Sequence, residues 1–575
     1  MKKTLRDLLG CFPFQEMRPE QRQILEWIHP LLHDNKVKNI VIEAGTGVGK
    51  SAIAKTISKY CGKSYVLTST KNLQDQYYKD FHNMNADVMK GRVAYNCEMS
   101  DCTCADSRCI QASKNKSILK SDQKYIDCFH NRYVMCPYYM QLERVKKAEM
   151  YITSYAFFMS NYNIKGKYSD RLEPRDVLIF DECHLFDDIL IDYLKITINK
   201  EHIDKKFNIV KDLTFKQRVQ WAKEFINDPK EDIRALVMLK DILSARLEKI
   251  RDNLEKKYEK TKIEGKELED LLKEIENSQE KLKKMIDKIE YFLKQYKEHP
   301  EEWIVEADLE KQVLIATPIS SARAFENFMN NKAPKRIFMS ATIFGKDMIC
   351  KELGLNEEET RYINVNSTFP PDRSPVIIAP IANFKYPHYN EAAEKCAGIM
   401  EMLFNYFKNE KGVIHTSSYQ ISNLVLDKLS KTARKRLVTR TKSENNEELI
   451  EKHSKSKTPT ILMSPSIMSG VDLKDDLARF QIVLRLPYIS LADPRIKYIS
   501  KTDFPWYAKK MLRELVQSTG RATRSENDWA ATFILDSRFE GVVRRYSSCL
   551  PKSFKDRLVY AKNFNINNFL KNVGE

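Results

Sequence analysis

Residues 44–51 read Ala44-Gly45-Thr46-Gly47-Val48-Gly49-Lys50-Ser51, and this stretch decides how the first part of the chain folds. It follows an apolar run at 39–42 and precedes a helix-compatible run at 52–60. A glycine-rich loop between a strand and a helix lets backbone N–H groups wrap phosphates, and the helix N-terminus adds positive partial charge. We therefore predict a phosphate-binding loop in which Lys50 reaches the β- and γ-phosphates of ATP and Ser51 holds Mg²⁺.

Short apolar runs that end in small or polar residues recur along the chain, and such runs predict strands buried on both faces of a parallel sheet. In the first half they lie at 39–42, 64–67, 176–180 and 336–339. In the second half they lie at 412–415, 460–463, 481–484 and 531–535. Helical segments separate them, so we predict an α/β fold with two such domains and with insertions in the first.

A phosphate loop needs a second group that holds the metal ion. Asp181-Glu182-Cys183-His184 follows the apolar run at 176–180 and supplies it. We expect Asp181 to bind the hydration shell of Mg²⁺, and Glu182 to orient or deprotonate the attacking water.

A basic motif lies in the second half, at 517–524. Its Arg521 and Arg524 are three residues apart, hence on one face if the segment is helical. Their guanidinium groups would stabilise negative charge on the γ-phosphate in the transition state. We assign Gln517 of the same motif to the catalytic set.

Composition bounds the class of protein. The chain has 575 residues, of which 42% are hydrophobic, and this excludes disorder over its whole length. No apolar run reaches the roughly 18 residues of a membrane span, and Arg6 and Asp7 interrupt any apolar stretch after the basic start, so we expect a cytoplasmic protein. The net charge is +17, and a basic surface favours polyanions such as nucleic acid.

Residues 233–299 show a different pattern. Apolar residues recur there at spacings of three, four and seven, which is typical of amphipathic helices. Gly265 is the only glycine in this range, so we predict an antiparallel helical hairpin that turns near residues 262–265. The pattern alone does not distinguish a functional clamp or arch from a solvated strut.

The cysteines are unevenly spread, and six of the twelve form a cluster: Cys97, Cys102, Cys104, Cys109, Cys128 and Cys136. In a chain without an export signal, such a cluster indicates a metal site rather than disulfides. Four thiolates hold either Zn²⁺ or an iron–sulfur cluster, and the lack of a Cys-x-x-Cys pair counts against a ribbon-type zinc site. Six free thiols are the remaining alternative.

Taken together, the motifs resemble those of superfamily 2 helicases. The resemblance is carried by residues 45–51, 181–184, Ser340-Ala341-Thr342, Ser469-Gly470-Val471-Asp472-Leu473 and Gln517-Ser518-Thr519-Gly520-Arg521-Ala522-Thr523-Arg524. It implies two RecA-like domains with ATP in the cleft between them and a single nucleic-acid strand running across both. Arg18 and Gln21, in a motif like the adenine-side motif of the superfamily, would lie near the base. The implied ATP-binding residues are completed by Gly45, Thr46, Gly47, Val48, Gly49, Lys50, Ser51 and Asp472.

The resemblance also implies which residues contact the strand. They are short hydroxyl residues near strand ends, a type that suits phosphate contacts: Thr68, Ser69, Thr70, Thr416, Ser417, Ser418, Ser464 and Ser466.

A narrower resemblance comes from the cysteine segment. Gly91-Arg92 with Tyr95 and Cys97, and the terminal Cys136-Pro137-Tyr138-Tyr139, are similar to the XPD/DinG iron–sulfur helicases. That family carries a structural [4Fe–4S] cluster at this point of the first domain. Cys97 and Cys136 match its first and last ligands. We prefer Cys104 and Cys109 as the middle ligands, with Cys102 or Cys128 as substitutes.

The same resemblance divides the chain into domains. It implies RecA-like domain 1 at 1–90, 149–200 and 316–365, an iron–sulfur domain at 91–148, a helical arch at 201–315, and RecA-like domain 2 at 366–575.

We therefore predict an ATP-dependent 5′→3′ DNA helicase of the XPD/DinG type. Its cofactors would be Mg²⁺ and the [4Fe–4S] cluster, and its partners single-stranded and forked duplex DNA. We expect a monomer in the cytoplasm of a bacterial cell, encoded by the host or by a phage. Two alternatives stay open: an RNA or RNA–DNA hybrid helicase, and a DNA-binding recruitment factor that does not unwind.

Overall fold

The computed structural model describes residues 3–45, 47–98, 101–106, 135–160, 172–199, 201, 228–260, 283–329, 332–367, 369–385, 387–439, 446–465, 475–520 and 527–574. Within these ranges the chain alternates strands and helices over most of its length.

The α-helices fall into three groups along the chain. Those that precede the acidic pair, Asp181 and Glu182, are Leu5–Leu9, Pro19–His33, Lys50–Cys61, Lys71–Phe81, Pro137–Lys147 and Tyr155–Ser160. The middle group is Phe186–Leu194, Pro229–Lys260, 283–298, Ala322–Met329 and Lys346–Leu353. The last group is Tyr389–Tyr406, Tyr419–Lys428, Lys431–Arg434, Asn446–Lys455, Pro494–Thr502, Phe504–Thr519, Phe539–Tyr546, Lys552–Lys555 and Ile566–Gly574.

The strands, in chain order, belong to three sheets. They are β1 (Asn39–Ala44), β2 (Ser64–Thr68), β3 (Ala86–Met89), β4 (Met150–Ser154), β5 (Val177–Asp181), β6 (Ile196–Asn199), β7 (Trp303–Asp308), β8 (Val313–Pro318), β9 (Lys335–Ser340), β10 (Thr360–Val365), β11 (Val376–Ala382), β12 (Gly412–His415), β13 (Leu437–Thr439), β14 (Ile461–Ser464), β15 (Phe480–Val483), β16 (Ala531–Asp536) and β17 (Leu558–Tyr560).

The first sheet has seven parallel strands in the order β10-β1-β9-β5-β2-β4-β3. Its central strands are buried along their whole length, which explains their continuous apolar runs. Because β1, β9 and β5 are neighbours, the phosphate loop, Ser340-Ala341-Thr342 and the acidic pair all leave the same edge of the sheet. This strand order brings three motifs together that lie far apart in the sequence.

The second sheet also has seven parallel strands, in the order β13-β14-β12-β15-β16-β11-β17. The eight strands predicted from apolar runs are all present, as β1, β2, β5, β9, β12, β14, β15 and β16. The predicted α/β class with two parallel sheets of this kind is therefore confirmed.

A smaller sheet, antiparallel and ordered β6-β8-β7, carries the long helices Pro229–Lys260 and 283–298. Leu243, Phe292 and Trp303 are buried together in the cluster that joins them. The amphipathic pattern thus indicates helices whose apolar residues near 236–243 and 286–292 pack on this sheet. The predicted turn at 262–265 lies outside the described residues.

The two parallel sheets are joined by the helix Phe504–Thr519, here called the interface helix. Its Trp506 and Met511 share one buried cluster with Phe344 and Met348, which follow the first sheet's β9. A buried core therefore crosses the junction. Within the described ranges, no helix combines the length and apolar character that crossing a bilayer requires.

Candidate active site at the junction of the two parallel sheets

The loop between β1 and the helix Lys50–Cys61 has the backbone that a phosphate site requires. Gly47 and Gly49 both adopt left-handed conformations, with φ of 86° and 83°, in which a side chain would be strained. Gly49 directly precedes the helix, so the helix N-terminus opens into the loop. Lys50 Nζ donates to Ala44 O at 3.4 Å, which holds the ammonium group beside the loop. Thr46 lies outside the described residues.

Arg18 and Gln21 contact this loop directly. Gln21 Nε2 donates to Val48 O at 2.9 Å, and the Arg18 guanidinium donates to Gly47 O. A Cβ on Gly49 would lie 2.5 Å from Gln21 Nε2, so this close approach depends on glycine. The two side chains therefore brace the phosphate loop, and the sequence-based placement near the adenine base stays a prediction.

Asp181, the last residue of β5, is buried and held by two hydrogen bonds. Tyr77 Oη donates to its Oδ2 at 2.9 Å, and the N–H of Glu182 donates to its Oδ1 at 3.1 Å. Burial raises the pKa of Asp181 to about 6, and the negative charge of Glu182 adds to the shift. A magnesium ion would oppose this shift by favouring the ionised form. The Tyr77 hydroxyl fixes which way the carboxylate faces.

Glu182 adopts a left-handed backbone with φ of 54°, a strained conformation that is typical of functional positions in non-glycine residues. Its Oε2 accepts from Ser340 Oγ at 3.1 Å and lies 3.3 Å from His184 Nδ1. Burial alone would raise the pKa of Glu182. The positive charge of Lys50 and the bonds from His184 and Ser340 outweigh burial and hold that pKa well below its usual range. An ionised carboxylate of this kind is better suited to orienting a water than to removing its proton.

A chain of hydrogen bonds connects Glu182 to Gln517 of the interface helix. His184 Nδ1 lies 2.7 Å from Ser340 Oγ, and Gln517 Nε2 lies 2.6 Å from His184 Nε2. Because Ser340 gives its one proton to Glu182, Nδ1 carries the ring proton and Nε2 accepts from the Gln517 amide. Burial lowers the pKa of His184, in agreement with a neutral ring. Gln517 also donates to Thr342 Oγ1 at 2.7 Å.

Glu43 is a site residue that the sequence analysis missed. It is buried one residue before the end of β1, and its Oε1 accepts from the N–H groups of Ile343 and Phe344 at 2.9 and 3.1 Å. Its Oε2 accepts from Tyr362 Oη. Glu43 thus ties the strand that carries the phosphate loop to the segment that follows Thr342. The sequence did contain a signal for Glu43, because it is a lone carboxylate that follows an apolar run just before the phosphate loop.

Seven predicted site residues lie outside the described ranges: Thr46, Cys109, Cys128, Ser466, Asp472, Arg521 and Arg524. The interface helix ends at Thr519, and its last turn brings Gln517 to the acidic pair.

The hydroxyl residues near strand ends differ in burial. The side chains of Thr68, Thr416 and Ser464 are fully or almost fully buried. They lie at or directly after strand ends, where burial leaves main-chain groups rather than hydroxyls to contact a nucleic-acid strand. That these three residues contact nucleic acid stays a prediction.

The remaining hydroxyl residues, Ser69, Thr70, Ser417 and Ser418, are exposed or half-buried. Thr70 Oγ1 accepts from the N–H of Leu73 at 3.2 Å and caps the helix Lys71–Phe81. Ser418 Oγ caps the helix Tyr419–Lys428 in the same way, also at 3.2 Å. Each capping hydroxyl accepts one bond and keeps its own proton to donate.

Cys97, Cys102 and Cys104 lie on one short turn, in which the N–H of Cys97 donates to Cys102 O at 2.9 Å. Cys136 directly precedes the helix Pro137–Lys147, and its thiol is hydrogen-bonded to that of Cys104. This bond lowers the pKa of Cys136 to about 6 and raises the pKa of Cys104. Two of the four preferred ligands are therefore in contact, and Cys109 and Cys128 lie outside the described residues.

Arg92 supports these thiols. Its Nη1 lies 3.5 Å from Cys104 Sγ, and its guanidinium stacks over the Tyr138 ring at 4.1 Å from the centroid. A cation beside a thiol favours the thiolate, which is the form that binds zinc or iron. The described part of this segment thus fits metal ligation.

Comparisons with known proteins agree with this geometry. Residues 403–557 match the family described as helicase C-terminal domain, and residues 14–214 match the type III restriction enzyme res subunit. The ATP-dependent DNA helicase YoaA of Escherichia coli K12 is 22% identical, over 94% of this chain and 94% of its own. The ATP-dependent DNA helicase DinG of Photobacterium profundum is 24% identical, over 42% of this chain and 37% of its own.

Solved structures share the architecture. An XPD helicase structure superposes with a TM-score of 0.62 at 16% identity, over 95% of this chain and 100% of that one. The structure of S. tokodaii Xpd4 gives a TM-score of 0.56 at 16% identity, over 94% of this chain and 100% of that one. At this level of identity, the likeness shows a common fold.

Proposed function

We propose that this ATP-hydrolysing superfamily 2 helicase of the XPD/DinG type moves 5′→3′ along single-stranded DNA and unwinds duplex DNA. The relatives named as DNA helicases support DNA as the polymer. The polarity comes from the family resemblance. We expect it to act in the cytoplasm of a bacterial cell, as a monomer.

ATP would bind where the phosphate loop, the acidic pair and the interface helix meet. Lys50 would bind the β- and γ-phosphates, while Ser51 and Asp181 would hold Mg²⁺ and its waters. Glu182, held ionised by its neighbours, would orient the attacking water. Arg521 and Arg524 would then stabilise the charge that develops on the γ-phosphate.

The observation that carries this proposal is the hydrogen-bonded chain from Gln517 through His184 and Ser340 to Glu182. Gln517 belongs to the second sheet's unit, and Glu182 follows a strand of the first. A change in how the two units meet would therefore alter the hydrogen bonding of the catalytic carboxylate. This is the coupling that a motor driven by ATP hydrolysis requires.

The strand would cross the exposed hydroxyl residues near the strand ends of both sheets. Thr70 and Ser418 each stand at the N-terminus of a helix, and each has a free hydroxyl proton. Helix N-termini attract phosphate groups through their unpaired N–H groups and partial positive charge. One such contact on each sheet would let the two units grip the same backbone alternately.

The predicted iron–sulfur domain at 91–148, here called the cysteine lobe, would hold a structural [4Fe–4S] cluster through Cys97, Cys104, Cys109 and Cys136. Support comes from the contact between Cys104 and Cys136 and from the adjacent Arg92 cation. The cluster would tie together a segment that has little core of its own. If this is right, Cys136→Ser protein will lose iron and brown colour and keep ATP hydrolysis while unwinding falls, whereas Cys549→Ser, outside the lobe, will keep all three. Colourless wild-type protein with one zinc ion per chain would reject the cluster.

A strand-displacement assay tests the function. Anaerobically purified protein is given ATP, Mg²⁺ and duplex DNA with either a 5′ or a 3′ single-stranded tail. We expect displacement from the 5′-tailed substrate and little from the 3′-tailed one. The reverse preference would reject the polarity.

The same assay separates the alternatives. Faster ATP hydrolysis and unwinding with RNA than with DNA tails would replace DNA by RNA, because the 2′-hydroxyl is then being read. Hydrolysis stimulated by DNA without displacement from any tail would leave a translocase or recruitment factor that does not unwind.

A further inference from the structure

The interface helix turns three polar side chains toward the unit built on the first sheet. Lys510, Arg513 and Gln517 are spaced by three and four residues and so share one helix face. Lys510 and Arg513 are 5% and 3% exposed, although both carry a positive charge. Charges buried to this degree need partners.

Arg513 is partnered by main chain and side chain together. Its Nη1 donates to the carbonyl oxygen of His184 at 3.2 Å, and its Nη2 donates to that of Ile343 at 3.3 Å. Both nitrogens also contact the carboxylate of Glu352 at 3.2 Å. The carbonyl of His184 belongs to the acidic segment (residues 181–184) and that of Ile343 to the segment after Thr342, so one guanidinium spans both segments.

The neighbouring charges centre on Lys510, which shares the Glu352 carboxylate with Arg513. Lys510 Nζ lies 2.8 Å from Asp188 Oδ2, 3.6 Å from Asp187 Oδ2 and 3.4 Å from Glu352 Oε1. Arg495 adds a contact to Asp187 at 3.1 Å. Three acids from the first unit thus face three bases from the second, and Arg513 alone among these bases contacts the main chain of His184 and Ile343.

We propose that Arg513 is a positioning residue for ATP hydrolysis: it aligns the main chain of the acidic segment with the segment after Thr342, so that Glu182 faces its water when the interface helix is docked. The planar guanidinium suits this task, because its fixed fork donates to several acceptors at once, whereas an ammonium group acts as a point charge. The inference rests on the proposed role of Glu182.

A purely structural role predicts something different. A buried ion pair can often be replaced by apolar residues of similar volume with no loss of stability. If Arg513 only neutralised Glu352, removing both charges together would restore the protein fully. If Arg513 also positions the two segments, removing both charges would restore stability without restoring the hydrolytic rate.

The experiment compares Arg513→Met, Glu352→Met and the double variant in the full-length protein. Thermal unfolding reports stability, and steady-state ATP hydrolysis with saturating single-stranded DNA reports kcat and KM for ATP. We expect both single variants to unfold at lower temperature and the double variant to regain most of the loss. The kcat of Arg513→Met and of the double variant should stay about 100-fold low, the scale of an ångström misplacement near reacting groups, with KM nearly unchanged.

Arg495→Met is the matched control, since it also removes a buried arginine from this interface. Arg495 contacts the side chains of Asp187 and Asp188 and the carbonyl of Ile319, whereas Arg513 bonds the carbonyls of His184 and Ile343. We expect a lower unfolding temperature and a kcat near that of the wild type. Should Arg513→Met fail to fold, Arg513→Lys replaces it as the single variant and is expected to lower kcat as well.

Recovery of wild-type kcat in the double variant would overturn the proposal and make Arg513 a structural residue. An equal loss of kcat in Arg495→Met would also overturn it, because any weakening of the interface would then suffice. Wild-type protein that hydrolyses ATP but unwinds no duplex would contradict the proposed unwinding, and the kcat values of these variants would still test the role of Arg513.

Discussion

The edges at which the two parallel sheets end differ in their chemistry although the strands are arranged alike. Next to β1, β5 and β9 the first sheet carries Glu43, Asp181 and Glu182, whose oxygens are nearly all engaged in hydrogen bonds. Next to β12 the second sheet carries Ser417, whose hydroxyl donates to the carbonyl of Arg485 at 2.8 Å, and Ser418, whose neutral hydroxyl accepts from Ile421 N–H and keeps its own proton. The same fold would therefore supply the proposed reaction site on one sheet and the proposed nucleic-acid-binding surface on the other.

This difference follows from what each task needs. Hydrolysis needs fixed charges, and keeping them out of water is costly unless every partner is in place. Holding a moving polymer needs contacts that are weak enough to release, and single hydroxyl bonds to phosphate supply them. Substitutions on the first edge should therefore stop the reaction, and those on the second should weaken binding.

Lys50→Ala should have the largest effect. It removes the ammonium group that would bind the β- and γ-phosphates, so we expect ATP hydrolysis to fall by at least about 100-fold. Steady-state hydrolysis with and without single-stranded DNA measures this. Lys59→Ala, at an exposed position of the same helix, is the control and should hydrolyse ATP normally. Unchanged hydrolysis in Lys50→Ala would refute the assignment of the phosphate loop.

Glu182→Gln should separate binding from hydrolysis on the same edge. The amide keeps the volume and loses the charge that orients the water, so hydrolysis should fall by about 100- to 10,000-fold while ATP still binds. Fluorescent-nucleotide titration and a hydrolysis assay measure the two quantities. A matching loss of nucleotide affinity would show that Glu182 holds the nucleotide rather than the water.

Tyr77→Phe tests how Asp181 is oriented. The substitution removes the hydroxyl that donates to Asp181 Oδ2, leaving one oxygen of the carboxylate free to turn. The loss of one hydrogen bond to a charged group, about 1.5–3 kcal/mol, should raise the Mg²⁺ concentration for half-maximal hydrolysis by roughly tenfold or more.

The control for Tyr77→Phe is Tyr65→Phe. Tyr65 is equally buried and donates its hydroxyl proton to the carbonyl of Glu173, away from the acidic pair. We expect it to alter stability and to leave the Mg²⁺ dependence alone. An equal shift in both variants would mean that the effect of Tyr77 is general loosening of the fold.

The sequence reveals the reaction edge where its parts are contiguous. The loop at 44–51 and the pair Asp181-Glu182 could be recognised because one short stretch contains both the reactive group and its structural setting. Glu43, Tyr77 and Arg513 could not, because their partners are distant: Glu43 and Ile343 lie 300 residues apart. Contacts of that kind are set by strand order, which spacing along the chain does not determine.

The fold shows the same division. Buried central strands such as β1 and β5 were predicted from continuous apolar runs. β10 and β13 were missed, and both are edge strands with partly exposed residues. β4 and β11 were missed as well, although they lie inside their sheets and are mostly buried. The burial of Thr68 and Thr416 was also not predicted, because a hydroxyl near a strand end carries no sign of what covers it.

Ser418→Ala should have the smallest effect and tests the second edge. The substitution removes the N-cap of the helix Tyr419–Lys428, which costs about 1 kcal/mol and lowers the unfolding temperature by about 2–4 °C in a domain of this size. It also removes the hydroxyl proton proposed to bind a phosphate. Single-stranded DNA should therefore bind at least about threefold more weakly, because one hydrogen bond to a solvent-exposed phosphate is lost. Fluorescence anisotropy with a labelled oligonucleotide measures this.

Ser430→Ala isolates the binding effect from the capping effect. Ser430 Oγ also accepts a backbone N–H, that of Ala433, at 3.2 Å, and it caps the helix Lys431–Arg434. This helix precedes β13, so Ser430 lies before the start of a strand, whereas Ser418 follows the end of one. Both variants should lose stability, and only Ser418→Ala should lose DNA affinity. Equal DNA affinities in the two variants would show that Ser418 does not contact the DNA strand. A loss of ATP hydrolysis in Ser418→Ala without a loss of DNA binding would contradict the assignment of hydrolysis to the first edge and of DNA binding to the second.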